Sequence, residues 1–307
     1  MLVSRRPVAL ALASAALLLA GCSSSDDSGA AGDADVAAAE AGDEERRPAP
    51  PATRVWDTSP SSVAAIGDSI TRGFDTCSLL TDCPEASWAT GTDAAVDSLA
   101  MQLLAGEGGG DITDRSWNLA ESGATVADLP DQARQAAGHQ PQLVTVLIGA
   151  NDACAADLAS MTDVADFEAD FSDALRALRA ESPDTQVYVS SVPDLMRLWR
   201  EGSESMMART VWQMANICPS MLSDPNDETD DATTRREAVR ERVQEYNEVL
   251  ERVCATDELC RYDGGAVFDY EFTTDHLSQW DWFHPGESGQ RQLAALAYEQ
   301  VAADQVR

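Results

Sequence analysis

The chain has 307 residues and a formal net charge of −32, from 53 acids against 21 bases, and every base is arginine. Such an excess of acid excludes the basic footprint that nucleic-acid phosphates require. It also disfavours adhesion to anionic lipid headgroups, and leaves a preference for uncharged substrates.

Arg5 and Arg6 precede an apolar run from Val8 to Leu19 that is too short to span a bilayer. Leu19-Ala20-Gly21-Cys22 then has the form of a bacterial lipobox. Residues 1–21 are expected to be a lipoprotein signal peptide, cleaved so that Cys22 is lipidated and the mature chain is tethered to a membrane surface. An ordinary secretory signal is the alternative. Arg5-Arg6 hints at twin-arginine export, although Pro7 and Val8 fit that motif poorly. Residues 22–54 are rich in Ser, Asp, Ala, Gly, Glu and Pro. They lack apolar periodicity and read as a disordered acidic, Pro-rich tether. Residues 55–307 remain for one α/β domain.

That domain opens on Ser62-Val63-Ala64-Ala65-Ile66, a short buried strand closed by the corner Gly67-Asp68-Ser69. After a loop from Phe74 to Thr90, Ala94 to Leu104 reads as a helix stopped by Gly106 and Gly108-Gly109-Gly110. Trp117 to Ala120 is a second strand, followed by Glu121-Ser122-Gly123, and Val126 to Ala137 is helical. Leu143 to Ile148, apolar nearly throughout, is the clearest strand and ends at Gly149-Ala150-Asn151-Asp152. Phe167, Phe171, Leu175 and Leu178 mark a helical stripe, and Val187 to Val189 a fourth strand. Short helices and loops are expected over Leu195–Ser223. The acidic run from Asp224 to Asp231 lacks the Gly and Glu of a calcium loop and reads as solvated. Arg235 to Val253 is an amphipathic helix, Ala266-Val267-Phe268 a fifth strand, and a closing helix starts from Pro285. Alternating strands and helices give a parallel, doubly wound sheet with helices on both faces.

Beyond Cys22 there are six cysteines, in an export compartment where an even count favours disulfides. Of the fifteen possible pairings, the close neighbours Cys77–Cys83 and Cys254–Cys260 leave Cys154–Cys218 for a long bridge. A zinc site is disfavoured: there is no C-x-x-C and no His beside any Cys.

Parallel strands put the corners at Ser69, Gly123 and Asn151 on one edge of the sheet, where ligands bind. The last loop adds Asp281-Trp282-Phe283-His284. His284 can take the proton of Ser69 as it attacks a carbonyl carbon. Asp281 can hold the imidazole tautomer, and the N–H groups of Ser69 and Gly123 with the Asn151 amide can receive the oxyanion. Of the other histidines, His139 lies at the wrong edge, while His276 shares the terminal loop and is the rival base. Phe74, Trp280, Trp282 and Phe283, joined by Trp88, are candidates for an acyl pocket or for plain core.

Gly67-Asp68-Ser69, Gly123 within Asn118-x-Ala-x-x-Gly, Gly149-x-Asn151-Asp152 and Asp281-x-x-His284-Pro285 resemble the four ordered blocks of the SGNH (GDSL-type) hydrolases. The resemblance runs from about Val63 to the last helix. It implies a flavodoxin-like three-layer α/β/α fold with a five-stranded parallel sheet. Ser69, Asp281 and His284 would form the triad, and Ser69, Gly123 and Asn151 the oxyanion hole. The cysteine pattern is similar to that of secreted actinobacterial esterases of this family. Ile70 stands where the motif has Leu, a volume-conserving change.

The expected protein is an extracytoplasmic, lipid-anchored monomeric serine ester hydrolase, needing no metal or cofactor. It would cleave short- to medium-chain acyl or acetyl esters of lipids or carbohydrates through an acyl-enzyme. The alternatives are an acyltransferase on cell-envelope glycans or lipids, and a non-catalytic ligand-binding lipoprotein.

Overall fold

The computed structural model describes residues 55–104 and 111–304. The expected signal peptide, tether and Cys22 lie outside these residues, as do Gly106 and the run Gly108 to Gly110.

The first half of the fold runs β1 (Val63–Gly67), α1 (Ser69–Arg72), α2 (Leu99–Leu104), β2 (Ser116–Asn118), α3 (Leu129–Gly138), β3 (Leu143–Leu147) and α4 (Ala150–Ala153). It continues through α5 (Val164–Glu181), β4 (Gln186–Val189), α6 (Leu195–Ser203), α7 (Met206–Ala215) and α8 (Pro219–Leu222). The chain closes with α9 (Asp230–Cys254), β5 (Cys260–Tyr262), α10 (Ala266–Asp269) and α11 (Glu287–Val301). The strands form a single sheet in the order β2-β1-β3-β4-β5, every pair parallel. This is the flavodoxin-like order, whose switch point falls between β1 and β3.

β1, β3 and β4 are buried at every position, as their mostly apolar runs require of strands covered on both faces. α3 packs on α5 and α5 on α9, while α11 packs on α2. The expected stripe on α5, Phe167, Phe171, Leu175 and Leu178, is buried. So is that on α9, Val239, Val243, Tyr246, Leu250 and Val253. α9 begins earlier than its apolar stripe, because the Thr229 side chain accepts from Ala232 N–H and Asp230 and Asp231 suit the positive end of the helix.

Two expectations fail for identifiable reasons. Ala266-Val267-Phe268 is not a strand but part of α10, since the Asp263 carboxylate collects the N–H groups of Gly265 and Val267 and turns the chain. The fifth strand is Cys260–Tyr262, paired with Val187–Val189. Its central Arg261 hides it from a hydrophobicity reading. That guanidinium lies 4.1 Å over the Trp56 ring and donates to the Gln300 and Ala303 carbonyls at 2.6 and 2.8 Å. The second failure is at α2, which starts at Leu99 rather than Ala94. Asp97 has φ +54° and Ser98 Oγ donates to the Gly91 carbonyl at 2.6 Å, so the preceding residues form turns.

The bonded cysteine pairs are Cys77–Cys83, Cys154–Cys218 and Cys254–Cys260. Among the described residues no helix is long and apolar enough to cross a membrane.

Gly67 ends β1 with φ +140°, and a Cβ there would lie 2.1 Å from the Leu147 carbonyl oxygen. Both the backbone conformation and the backbone contact demand glycine. Gly67→Ala is expected to lower unfolding free energy by about 3 kcal/mol or more in a urea titration. A loss below about 1 kcal/mol, the size of an ordinary substitution, would show that the corner can relax.

Candidate active site

The corner after β1 is held from two helices. Gln132 of α3 brackets Gly67, accepting from its N–H at 2.7 Å and donating to its carbonyl at 3.0 Å. Gln290 of α11 donates to the Ile70 carbonyl and accepts from Trp88 N–H, both at 2.9 Å. Sequence reading singled out neither glutamine. Their one signal is a polar residue where the helix packs inward, and nothing in the sequence says what it meets. Asp68 caps α1 by accepting from Ile70 N–H at 2.9 Å. Ser69 is the first residue of α1, so its N–H has no carbonyl within the helix to bond.

His284 reaches this corner from the other end of the chain. Its Nε2 lies 2.8 Å from Ser69 Oγ and its Nδ1 2.5 Å from Asp281 Oδ2. A carboxylate only accepts, so Nδ1 carries the proton and Nε2 is left to accept from the hydroxyl. The other Asp281 oxygen accepts from Phe283 and His284 N–H at 2.9 and 3.0 Å. Burial alone would raise the Asp281 carboxyl. The hydrogen bond and charge of His284, with those two N–H groups, outweigh it and hold the carboxyl below its ordinary value. Trp282, at φ +57°, makes the bend between acid and base. Ser278 N–H donates to the His284 carbonyl at 2.8 Å and Leu277 bridges Pro285, so the loop folds back on itself. This bridge is why α11 starts at Glu287 and not at Pro285.

The corners after β2 and β3 are stitched together. Asn151 Nδ2 donates to the Ala124 carbonyl at 2.8 Å, which uses one of its two protons. The Asp152 carboxylate accepts from Val126 N–H at 3.1 Å and from Thr162 Oγ1 at 2.8 Å. Gly123 has φ +87°, and a Cβ on it would meet no protein atom within 4 Å. Its side is open cleft; the backbone conformation requires the glycine.

Ser69, Gly123, Asn151, Asp281 and His284 open onto one cleft of about 520 Å³, also lined by Phe74, Leu79, Leu80, Ile217, Trp280 and Phe283. The Phe74 and Phe283 rings meet the imidazole edge-on, each 5.0 Å away. Trp88 does not join them: it is buried in the core with Nε1 3.3 Å from Thr71 Oγ1. Trp282 is not part of the lining either; its carbonyl accepts from Trp212 Nε1. Ile70 is buried in the core. His276 faces a separate, narrower pocket beside α6, its Nδ1 accepting from Thr273 N–H at 3.1 Å. His139 stacks on Trp117 at 4.7 Å on the exposed opposite side.

Burial, opposed by the Ile70 N–H and the charge of His284, pushes the Asp68 carboxyl up to about 7, and its Oδ2 has no hydrogen-bond partner. Asp152 is pushed up to about 6 by burial, against its bonds to Thr162 and Val126. The folded chain holds the Asp68 proton up to about pH 7, whereas the ordinary value is 3.8. The stability this group contributes is therefore fully present below that ordinary value and is lost as pH rises through 7. Asp68→Asn keeps the cap acceptor and removes the titration. Its unfolding free energy should match the parent near pH 4 and exceed it at pH 8 by about 2–4 kcal/mol. Parallel curves in urea unfolding at the two pH values would reject this.

A family model of the GDSL-like Lipase/Acylhydrolase family matches residues 65–292. Among solved structures, the extracellular lipase of Streptomyces rimosus is similar at 19% identity and TM-score 0.46, over 79% of this chain and 100% of that one. Phospholipase A1 of Streptomyces albidoflavus is similar at 19% identity and TM-score 0.48, over 80% of this chain and 100% of that one. A salicylyl-acyltransferase of a tetracycline biosynthetic pathway is similar at 17% identity and TM-score 0.48, over 80% of this chain and 55% of that one. A search of curated proteins returns no match. With the family model spanning most of the domain, from within β1 into α11, this chain belongs to the GDSL-like lipase/acylhydrolase family and is a hydrolase acting on ester bonds.

Proposed function

We propose that the protein hydrolyses carboxylic esters of short- to medium-chain acyl groups through an acyl-enzyme on Ser69. The observation that carries this reading is the imidazole of His284 hydrogen-bonded on one side to Ser69 and on the other to Asp281, at the floor of an open cleft. His284 Nε2 takes the Ser69 proton as Oγ attacks the ester carbonyl carbon. Asp281 offsets the charge on the imidazolium. The oxyanion is received by the N–H groups of Ser69 and Gly123 and by the free proton of the Asn151 amide. The imidazolium then protonates the departing alkoxide, and water, activated by the same imidazole, releases the acid.

The cleft supports an uncharged, partly apolar ester. Leu79, Leu80 and Trp280 line it and stand 54%, 74% and 37% exposed at its rim. Such side chains favour an acyl chain or a lipid over a highly charged substrate. Three disulfides are consistent with an extracytoplasmic setting. The domain of residues 55–307 would be carried there on a tether of residues 22–54 and held to the membrane by a lipid on Cys22.

Purified protein is to be assayed with p-nitrophenyl acetate, butyrate, octanoate and palmitate, with and without an alcohol or sugar acceptor. Turnover is expected to favour the shorter chains and to yield free acid. Dominant transfer to the acceptor would replace hydrolysis with acyl transfer, and no turnover together with tight ester binding would replace both with a binding role. Ser69→Ala should abolish turnover with the fold retained by circular dichroism; residual activity at the parental level would require another nucleophile. Asn151→Ala should cost about 3 kcal/mol of transition-state stabilisation, roughly a hundred- to thousand-fold in kcat. A loss under about threefold, well short of an oxyanion donor's contribution, would remove Asn151 from the oxyanion hole.

A further inference from the structure

The reaction drawn above uses one carboxylate, yet a second stands beside it. Asp75 follows the cleft residue Phe74 and is only 1% exposed. One of its carboxylate oxygens, one of Asp281 and a ring nitrogen of His284 lie within 4.8 Å of one another. Asp75 Oδ1 accepts from Leu80 N–H, while Oδ2 is buried and has no hydrogen-bond partner. The backbone of Asp75 is tied to the same neighbourhood. Its N–H donates to the Thr81 carbonyl at 3.0 Å, and its carbonyl accepts from Ser278 Oγ, in the loop that carries His284, at 2.6 Å.

An orphaned carboxyl oxygen beside another buried carboxylate is unfavourable when both are ionised. Burial first, then the charge of Asp281, push the Asp75 carboxyl above its ordinary range, against the pull of Leu80 N–H and of His284. A proton on Asp75 removes the repulsion.

We propose that Asp75 is a positioning residue for the acyl-transfer site, its carboxyl sharing the buried end of the Asp281–His284 pair and setting the charge that the imidazole faces. The inference rests on the ester-hydrolase reading above. Protonated, Asp75 adds no charge. Ionised, it places a second negative charge beside the ring and favours the imidazolium, which cannot take the Ser69 proton. The acid limb of the rate profile then belongs to Asp75 and His284 together and not to one histidine. Asp281 is held low and ionises outside that range. The charge of His284 is also felt by Asp68, in the corner after β1; Asp68 is not altered in the test.

Asp75→Asn keeps an acceptor for Leu80 N–H, and Asn tolerates the φ of +55° found at this position. The acid limb of kcat/KM for p-nitrophenyl butyrate should move to lower pH by about one unit. An acid limb that stays in place would overturn the proposal and leave Asp75 as a loop residue. Titration of the ¹⁵N-labelled histidine rings by NMR gives a second, activity-independent reading, and the chain has only 3 histidines to assign. In the parent protein the His284 resonances should shift in two steps, and in Asp75→Asn in one. A single step in the parent would overturn the proposal even if the variant failed to fold. Because the NMR titration needs no substrate, absence of esterase activity alongside a two-step titration would sink the hydrolase reading and not the coupling.

Discussion

The tightest backbone contact made by any glycine among the described residues is the packing of Gly67 against the end of β3. The Leu147 carbonyl oxygen sits where a Cβ of residue 67 would be, and it also accepts from Asp68 N–H at 3.3 Å. This contact forces the chain to leave β1 and β3 side by side, at the switch point of the sheet. Ser69 and Asn151 therefore emerge as neighbours although 82 residues of chain separate their numbers. Gln132 and Gln290 lock the same corner from the two helices, so the hydroxyl is presented by a backbone with little freedom to move. Rigid presentation matters because acyl transfer is sensitive to displacements well under an ångström.

The electrostatics of the site are local and crowded. Asp68, Asp75, Asp152 and Asp281 are all nearly or fully buried, and Asp68, Asp75 and Asp281 feel the charge of one imidazole. Only Asp281 is surrounded by enough donors to be held ionised; desolvation pushes the other three upward. The chain's surplus of acid lies largely in water and is screened. Hydrogen-bond donors at a few ångströms decide the charge state of each carboxyl far more than the net charge does. One carboxylate is thereby committed to the histidine, while its neighbours can hold protons.

The apolar residues divide by the same logic. Phe74 and Phe283 flank the imidazole and wall the cleft, while Trp88 and Trp212 are sealed in the core with their indole N–H groups bonded. A cleft with an apolar rim and a polar floor suits an ester whose carbonyl must meet donors while its chain avoids water. The Cys77–Cys83 bridge staples the loop that carries Leu79 and Leu80, and Cys154–Cys218 ties the Asn151 corner to the residues after α7. Cys154 and Cys218 line the cleft, and the Cys77–Cys83 bridge holds the loop whose Leu79 and Leu80 line it.

The amino-acid pattern by itself pointed to the parallel sheet, because the short apolar runs at Val63–Ile66 and Leu143–Ile148, the latter interrupted only by Thr145, suit strands covered on both faces. It also marked the corners at residues 69, 123 and 151 and the acid–histidine pair at 281 and 284, since each is a short local signal. It misplaced the fifth strand, where Arg261 is buried only because Trp56 and two carbonyls from the C-terminal end come to meet it. It could not separate Trp88 from Phe74, for indole and phenyl groups look alike until packing decides which is enclosed. It was silent on Gln132, Gln290 and the second carboxylate at residue 75, because Gly67, Ile70 and Asp281, which they respectively meet, lie tens to hundreds of residues away. Only the tertiary structure decided which buried polar groups have donors, and hence which acid faces the histidine as a charge.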